Sequence, residues 1–135
     1  MTLSNYEKAL KYYGKTLDIF GKVLGTEHPS TATTYNNMAV VYNNQGVYDM
    51  ALEYYRKALA IQEKVLGTEH PSTATTYNNV AFVYRAQGNY DDALKLFEKA
   101  LAIYKKVLGE AHPYTKDTIE SLEFTNEMIK KNTRH

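Results

Sequence analysis

Lys22–Asn37 reads KVLGTEHPSTATTYNN, and Lys64–Asn79 reads the same sixteen letters. The offset between Lys22 and Lys64 is 42 residues. A looser third copy, KVLGEAHPYTKDT, begins one period further on at Lys106. Outward from these blocks, Tyr6-Glu7-Lys8-Ala9-Leu10, Tyr48-Asp49-Met50-Ala51-Leu52 and Tyr90-Asp91-Asp92-Ala93-Leu94 keep the same register. Residues 6–47 and 48–89 differ at 13 of 42 positions. Self-similarity at a fixed period marks a stacked repeat, in which each unit completes the apolar burial of its neighbour.

One period holds two helices and two turns. Tyr35, Met38, Ala39 and Tyr42 fall at i, i+3, i+4 and i+7, which is one face of a helix. Pro29 suits the first helical position, where its missing N–H costs nothing, and this places His28 at the N-cap. Gly46 follows the last periodic residue as a stop. Tyr48, Ala51, Leu52, Tyr55, Ala58, Leu59, Gln62, Val65 and Leu66 step by three and four through the second half, and Gly67 closes it. No segment alternates with period two, so no strand is expected. With the helix types named A and B, the order is B-A-B-A-B-A, at 4–24, 29–45, 48–66, 71–87, 90–108 and 113–131.

The pattern resembles the tetratricopeptide repeat (TPR). Tyr35, Met38, Ala39 and Tyr42 stand where that family has its Trp, Leu, small residue and Tyr. Ala51, Tyr55 and Ala58 stand at its Ala, aromatic and Ala positions, and Gly46 at its turn. Tyr77, Val80, Ala81, Tyr84, Gly88, Ala93, Phe97 and Ala100 repeat the match. The 42-residue period and the pairs Asn36-Asn37 and Asn78-Asn79 resemble the longer repeats of kinesin light chain and nephrocystin-like proteins, as does Tyr84-Arg85-Ala86-Gln87-Gly88. The resemblance implies an all-α, right-handed α-solenoid forming one array over 1–135. It begins with an unpaired B helix at 1–25, continues with repeats at 26–67 and 68–109, and ends in a capping helix and tail at 110–135. It also implies a non-catalytic module that binds a protein or peptide.

Composition narrows the chemistry. The chain has 135 residues, 44% of them hydrophobic, which argues against disorder. Sixteen Lys+Arg against fifteen Asp+Glu leave a charge of +1, giving no net field to draw nucleic acid or anionic lipid. The absence of cysteine removes disulfides, thiolate metal sites and cysteine nucleophiles. The start at Met1-Thr2-Leu3-Ser4 lacks a signal peptide's charged and apolar regions, and no apolar run reaches the roughly 20 residues of a membrane helix. A cytoplasmic protein with no membrane partner is expected.

The recurring His28, His70 and His112 could suggest a metal. Equivalent positions in stacked hairpins stand about 10 Å apart, one helix diameter. A zinc ion needs several ligands about 2 Å away, so none is expected to bridge them, and no cofactor is expected. Each His reads instead as part of a helix-entry turn. Ser30-Thr31 and Ser72-Thr73 read as capping residues. Glu120, Glu123 and Glu127 read as a solvated helical face rather than as an acid–base pair. Tyr6, Tyr13, Tyr35, Tyr42, Tyr48, Tyr55, Tyr77, Tyr84 and Tyr90 lie on the apolar stripe and read as core rather than base-stacking platforms. Lys130-Lys131-Asn132-Thr133-Arg134 and His135 form a short solvated tail.

By the resemblance, the A helices line a concave groove. Counting from each anchor, its walls are Thr33, Asn36, Val40 and Asn43; Thr75, Asn78, Phe82 and Arg85; and Asp117, Glu120, Phe124 and Glu127. Asn37 and Asn79 stand at the margin. The family uses its asparagines to pair with the backbone of an extended peptide, and that role is carried onto Asn36, Asn37, Asn78 and Asn79. Within the groove the first two copies differ at Val40/Phe82 and Asn43/Arg85, which makes Phe82 an apolar anchor and Arg85 an anion contact. Basic ligand groups are expected near Glu120 and Glu127. The family's carboxylate clamp of several Lys and Arg is not expected, since the matching positions are Asn, Asn, Asp and Ser121.

The last A helix departs from the pattern at Glu123, Asn126 and Lys130 and reads as a polar cap. The first B helix has no A helix before it, so its stripe should be bare. Either a longer array continues there or a second copy covers it, giving a homo-oligomer.

Overall fold

The computed structural model describes residues 3–133. Met1, Thr2, Arg134 and His135, which entered the readings of the leader and the tail, lie outside the described residues. Six helices follow in order: α1 Leu3–Val23, α2 Pro29–Asn44, α3 Tyr48–Val65, α4 Pro71–Ala86, α5 Tyr90–Leu108 and α6 Pro113–Thr133. No strand occurs among the described residues. Every expected helix is present, with ends within two residues of the sequence reading.

The turns are built from two local devices. At the A–B turn of the first copy, the Val47 amide donates to Tyr42 O (2.9 Å) and the Gly46 amide to Asn43 O (3.0 Å). The second copy repeats this with Asn89 to Tyr84 O (2.8 Å) and Gly88 to Arg85 O (3.0 Å). This paired closure needs a residue with positive φ, and Gly46 (78°) and Gly88 (85°) supply it. A methyl added at Gly88 would meet nothing within 4 Å. Gly88→Ala should therefore lower stability by about 1 kcal/mol through the backbone alone, as read by urea unfolding. An unchanged midpoint would show that the turn opens at no cost.

The A helices start on histidine. Nδ1 of His28 accepts from the Ser30 amide (3.0 Å), that of His70 from Ser72 (3.0 Å), and that of His112 from Tyr114 (3.1 Å). Each His satisfies an amide that the first turn leaves without a helical acceptor. The expected helix-entry role therefore holds, and the N-cap residues are His28 and His70. Threonines instead tie the turn to the helix: the Thr115 hydroxyl donates to Gly109 O (2.8 Å).

The chain divides into two compact units, Met1–Gly67 and Thr68–His135. In the first, Ala32, Ala58 and Ile61 form a buried cluster with Tyr35 packed against it. Small side chains at Ala32 and Ala58 allow α2 and α3 to approach closely. Tyr55 is buried, and burial pushes its hydroxyl pKa up to about 12. Tyr42 stacks on Tyr54 with centroids 5.5 Å apart. α1 packs on α2 but leaves its other stripe open. Ile19 is 59% exposed, whereas Ile61 one period later is 6% exposed. Tyr12 is 66% exposed. The bare strip anticipated on the first B helix is therefore present.

In the second unit, Ala81, Ala93 and Phe97 form the buried cluster, with Phe82, Tyr84, Leu96 and Leu122 against it. Phe97 on α5 thus joins α4 to α6. Across each unit one exposed ion pair links an entry turn to a B helix, Glu27 to Lys64 (2.6 Å) and Glu69 to Lys106 (2.8 Å). Such exposed pairs contribute about 0–1 kcal/mol, so packing carries the fold. Of the nine stripe tyrosines, Tyr55 and Tyr77 are buried and the other seven half-buried, consistent with ring-filled gaps between helices.

Candidate functional site

The second unit brings together most of the groove residues expected on α4 and α6. Two hollows lie beside these helices, and Asp117 borders both. The wider one holds about 410 Å³ and is lined by Arg85, Asp117, Glu120, Ser121 and Phe124. The narrower holds about 180 Å³ and is lined by Thr75, Asn78, Tyr104, Tyr114, Asp117 and Thr118.

Arg85 is the cation of the wide hollow. Its guanidinium carbon lies 4.8 Å from the Phe82 centroid, 4.8 Å from Phe124 and 5.7 Å from Phe97. Rings on several sides hold the planar group in place and remove part of its water. That burial lowers its pKa from the ordinary arginine value, partly opposed by Tyr90. No carboxylate pairs with Arg85 among the described residues. Glu120 and Asp117, across the cleft, also have no ion pair there. A half-buried, pre-positioned guanidinium without a counter-ion is suited to a planar anion such as a carboxylate.

Phe82 does not project freely into this hollow. It is half-buried, edge-on to Phe97 at 5.0 Å, and carries Arg85 on its face. The ring available to a ligand is Phe124, 54% exposed. Glu127 is exposed but lies outside both hollows and contacts Lys130 at 3.8 Å. Asn79 is half-buried and lines neither hollow.

The narrow hollow contains residues that the groove count left out. Tyr104 comes from α5 and Tyr114 from the first turn of α6, with ring centroids 5.7 Å apart. Oδ1 of Asn78 is buried and accepts no hydrogen bond. The Tyr104 hydroxyl lies 2.6 Å from Thr75 Oγ1. Burial raises the Tyr104 pKa, the Thr75 bond opposes this, and Tyr114 adds to it. One signal could have found these residues. One period earlier, the positions of Tyr104, Tyr114 and Asp117 hold Gln62, Ser72 and Thr75.

In the first unit the groove residues disperse. Val40 is exposed, while Asn36 and Asn43 are half-buried on α2. Asn37 faces a different hollow, of about 290 Å³, with Tyr12, Tyr13, Thr16 and Phe20 of α1. Lys57 lies 4.8 Å from the Tyr54 centroid. Among the described residues no group of three or more His, Asp or Glu could hold a metal ion, and no helix is long and apolar enough to cross a membrane.

Amphipathic helix pairs repeating every 42 residues, with an open cleft beside α4 and α6, define a helical-repeat protein. Tetratricopeptide repeat models match residues 1–46, 30–106 and 72–125, and the chain belongs to the tetratricopeptide repeat family. Members of this family are generally non-catalytic protein–protein interaction modules. Among solved structures, BtubC (BKLC) from P. vanneervenii is similar with a TM-score of 0.86 and 26% identity, over 94% of this chain and 51% of that one. The chain therefore spans about half the length of that protein. A P. anserina protein described as a kinesin light chain with nearly identical TPR-like repeats is similar at 0.76 and 27%, over 97% and 68% of the two chains. The N-terminal domain of stress-induced protein-1 from C. elegans, at 0.62 and 20% identity over 87% and 80%, shares the fold. No significant sequence match is found among curated proteins. The α-solenoid class and the long-period, kinesin light chain-like repeat expected from the sequence are those of these neighbours.

Proposed function

We propose that the chain is a non-catalytic module whose α4–α6 cleft binds an extended, acid-bearing peptide segment of a partner protein. The observation that carries this reading is Arg85, an ion-pair-free guanidinium held among three rings and open to a cleft of about 410 Å³. Arg85 takes a ligand carboxylate, Phe124 covers an apolar side chain, and Asn78 offers its amide to the peptide backbone. Glu120 lines the same cleft, and Phe82 acts by supporting Arg85. No cofactor, nucleic acid or membrane enters this reading, and the site of action is cytoplasmic. The test is a peptide array probed with the labelled protein and its Phe124→Ala variant. Phe124 is exposed, so the fold should survive its truncation. Binding of acidic peptides is expected to weaken about tenfold. Array signals indifferent to Phe124→Ala would place binding elsewhere.

A second reading is favoured by α1. Its open stripe, with Tyr12 and Ile19, can be covered by a second copy of the chain, making a homo-oligomer. Sedimentation of Ile19→Asp distinguishes the two readings. Assembly through α1 predicts a shift to monomer with peptide binding unchanged, and an unaltered oligomeric state rejects it.

A further inference from the structure

We propose that the narrow hollow beside α4 and α6 is a receptor for a cationic side chain, the ammonium of a lysine or the guanidinium of an arginine. This rests on the peptide reading above and adds a second, oppositely charged anchor to it.

The argument is an inventory of protons. Each hydroxyl inside the hollow has one to donate. The Thr118 hydroxyl donates to Tyr114 O at 2.8 Å. The Thr75 hydroxyl donates to Pro71 O at 3.0 Å. The 2.6 Å contact between Thr75 and Tyr104 engages both hydroxyls, and either can donate in it. What Thr75 and Thr118 still offer is lone pairs, while Tyr114, which also lines the hollow, keeps its hydroxyl proton. Oδ1 of Asn78 is buried and has no donor. The Asp117 carboxylate at the rim has no ion pair among the described residues. A buried acceptor without a donor destabilises the free protein, and a ligand N–H would remove that cost. An ammonium carries three donors and a guanidinium five, and neither carries an acceptor. The ring of Tyr114, 54% exposed, lines the same space and suits the alkyl stem and the charge.

The repeat gives independent support. Of the six lining residues, Thr75, Asn78 and Thr118 match their counterparts one period earlier, Thr33, Asn36 and Thr76. The other three positions change, from Gln62 to Tyr104, Ser72 to Tyr114 and Thr75 to Asp117. Every change adds a ring or a negative charge, which is what a cation requires. Asn78 and Arg85 are seven residues apart on α4, about 10 Å along its axis. The preferred segment therefore carries a basic and an acidic side chain about that far apart.

The test uses the full chain, with N-acetyl-lysine methylamide, N-acetyl-arginine methylamide and the uncharged N-acetyl-norleucine methylamide as probes in NMR titrations. A saturable shift of the Asn78 side-chain amide is expected with a cationic probe. It should weaken about tenfold in Asp117→Asn, whose altered side chain lies at the exposed rim. Failure of both cationic probes to move Asn78, or an equal response to norleucine, overturns the proposal. Acidic peptides that still bind through Arg85 in that case would leave the peptide reading standing. A cation response without any peptide binding would leave the pocket and remove the peptide reading.

Discussion

Phe97→Ala is expected to lower the stability of the α4–α6 unit by about 3–5 kcal/mol. Phe97 is 0% exposed and lies between Ala81 of its partner helix and Ala93 of its own. Alanines have no length with which to fill the space that a lost ring leaves, so the cavity term adds to the lost transfer energy. Leu96, Leu122, Phe82 and Tyr84 border the cluster, so contacts with both neighbouring helices are lost at once. Domains of this size are stable by roughly 5–15 kcal/mol, and the substitution removes a large share of that. Urea unfolding by circular dichroism reads the total, and hydrogen exchange should place the loss on the amides of α4–α6. A change under about 1 kcal/mol would mean that the ring is not the pin between these helices. Phe82 rests edge-on against Phe97 and carries Arg85, so peptide binding should weaken even at temperatures where the variant stays folded.

Periodicity made the helices legible because it reports burial, which is local to one helix face. Pro29, Pro71 and Pro113 mark helix starts, and Gly46 and Gly88 supply the turn conformation, so element ends followed as well. The lining of a cleft is harder to read, because it depends on which neighbour each face meets. Asn37 and Asn79 sit in identical sixteen-residue blocks, yet Asn37 faces a hollow beside α1 and Asn79 lines neither hollow of the α4–α6 cleft. Phe82 reads as an apolar ligand anchor from its stripe, but Phe97 and Arg85 occupy its ring. Tyr104 escapes a groove count because it belongs to a B helix and its ring is core. It is 2% exposed yet borders the narrow hollow, and helix periodicity does not show which core residues also border a cavity.

Arg85→Glu should reverse the ligand preference of the wide hollow. Arg85 is its cation, and Asp117 and Glu120 already line it. Replacing the guanidinium by a carboxylate leaves three acids around about 410 Å³ and no positive group. Binding of acidic peptides should fall on the order of a hundredfold, since the anion loses its partner and gains a like charge. Lysine- or arginine-rich peptides should gain affinity at the same time. Two further variants separate charge from packing. Arg85→Lys keeps the charge but loses the planar group that lies against Phe82 and Phe124, so acidic peptides should bind with intermediate strength. Arg85→Met keeps most of the stem, so its stability should stay near the original while acidic binding is lost. Fluorescence anisotropy over a peptide panel, repeated at two salt concentrations, reads all three. The steepest salt dependence belongs to the original chain with acidic ligands, because a partly exposed ion pair is screened. Acidic peptides held equally by Arg85→Glu would show that the guanidinium serves only to pack the rings.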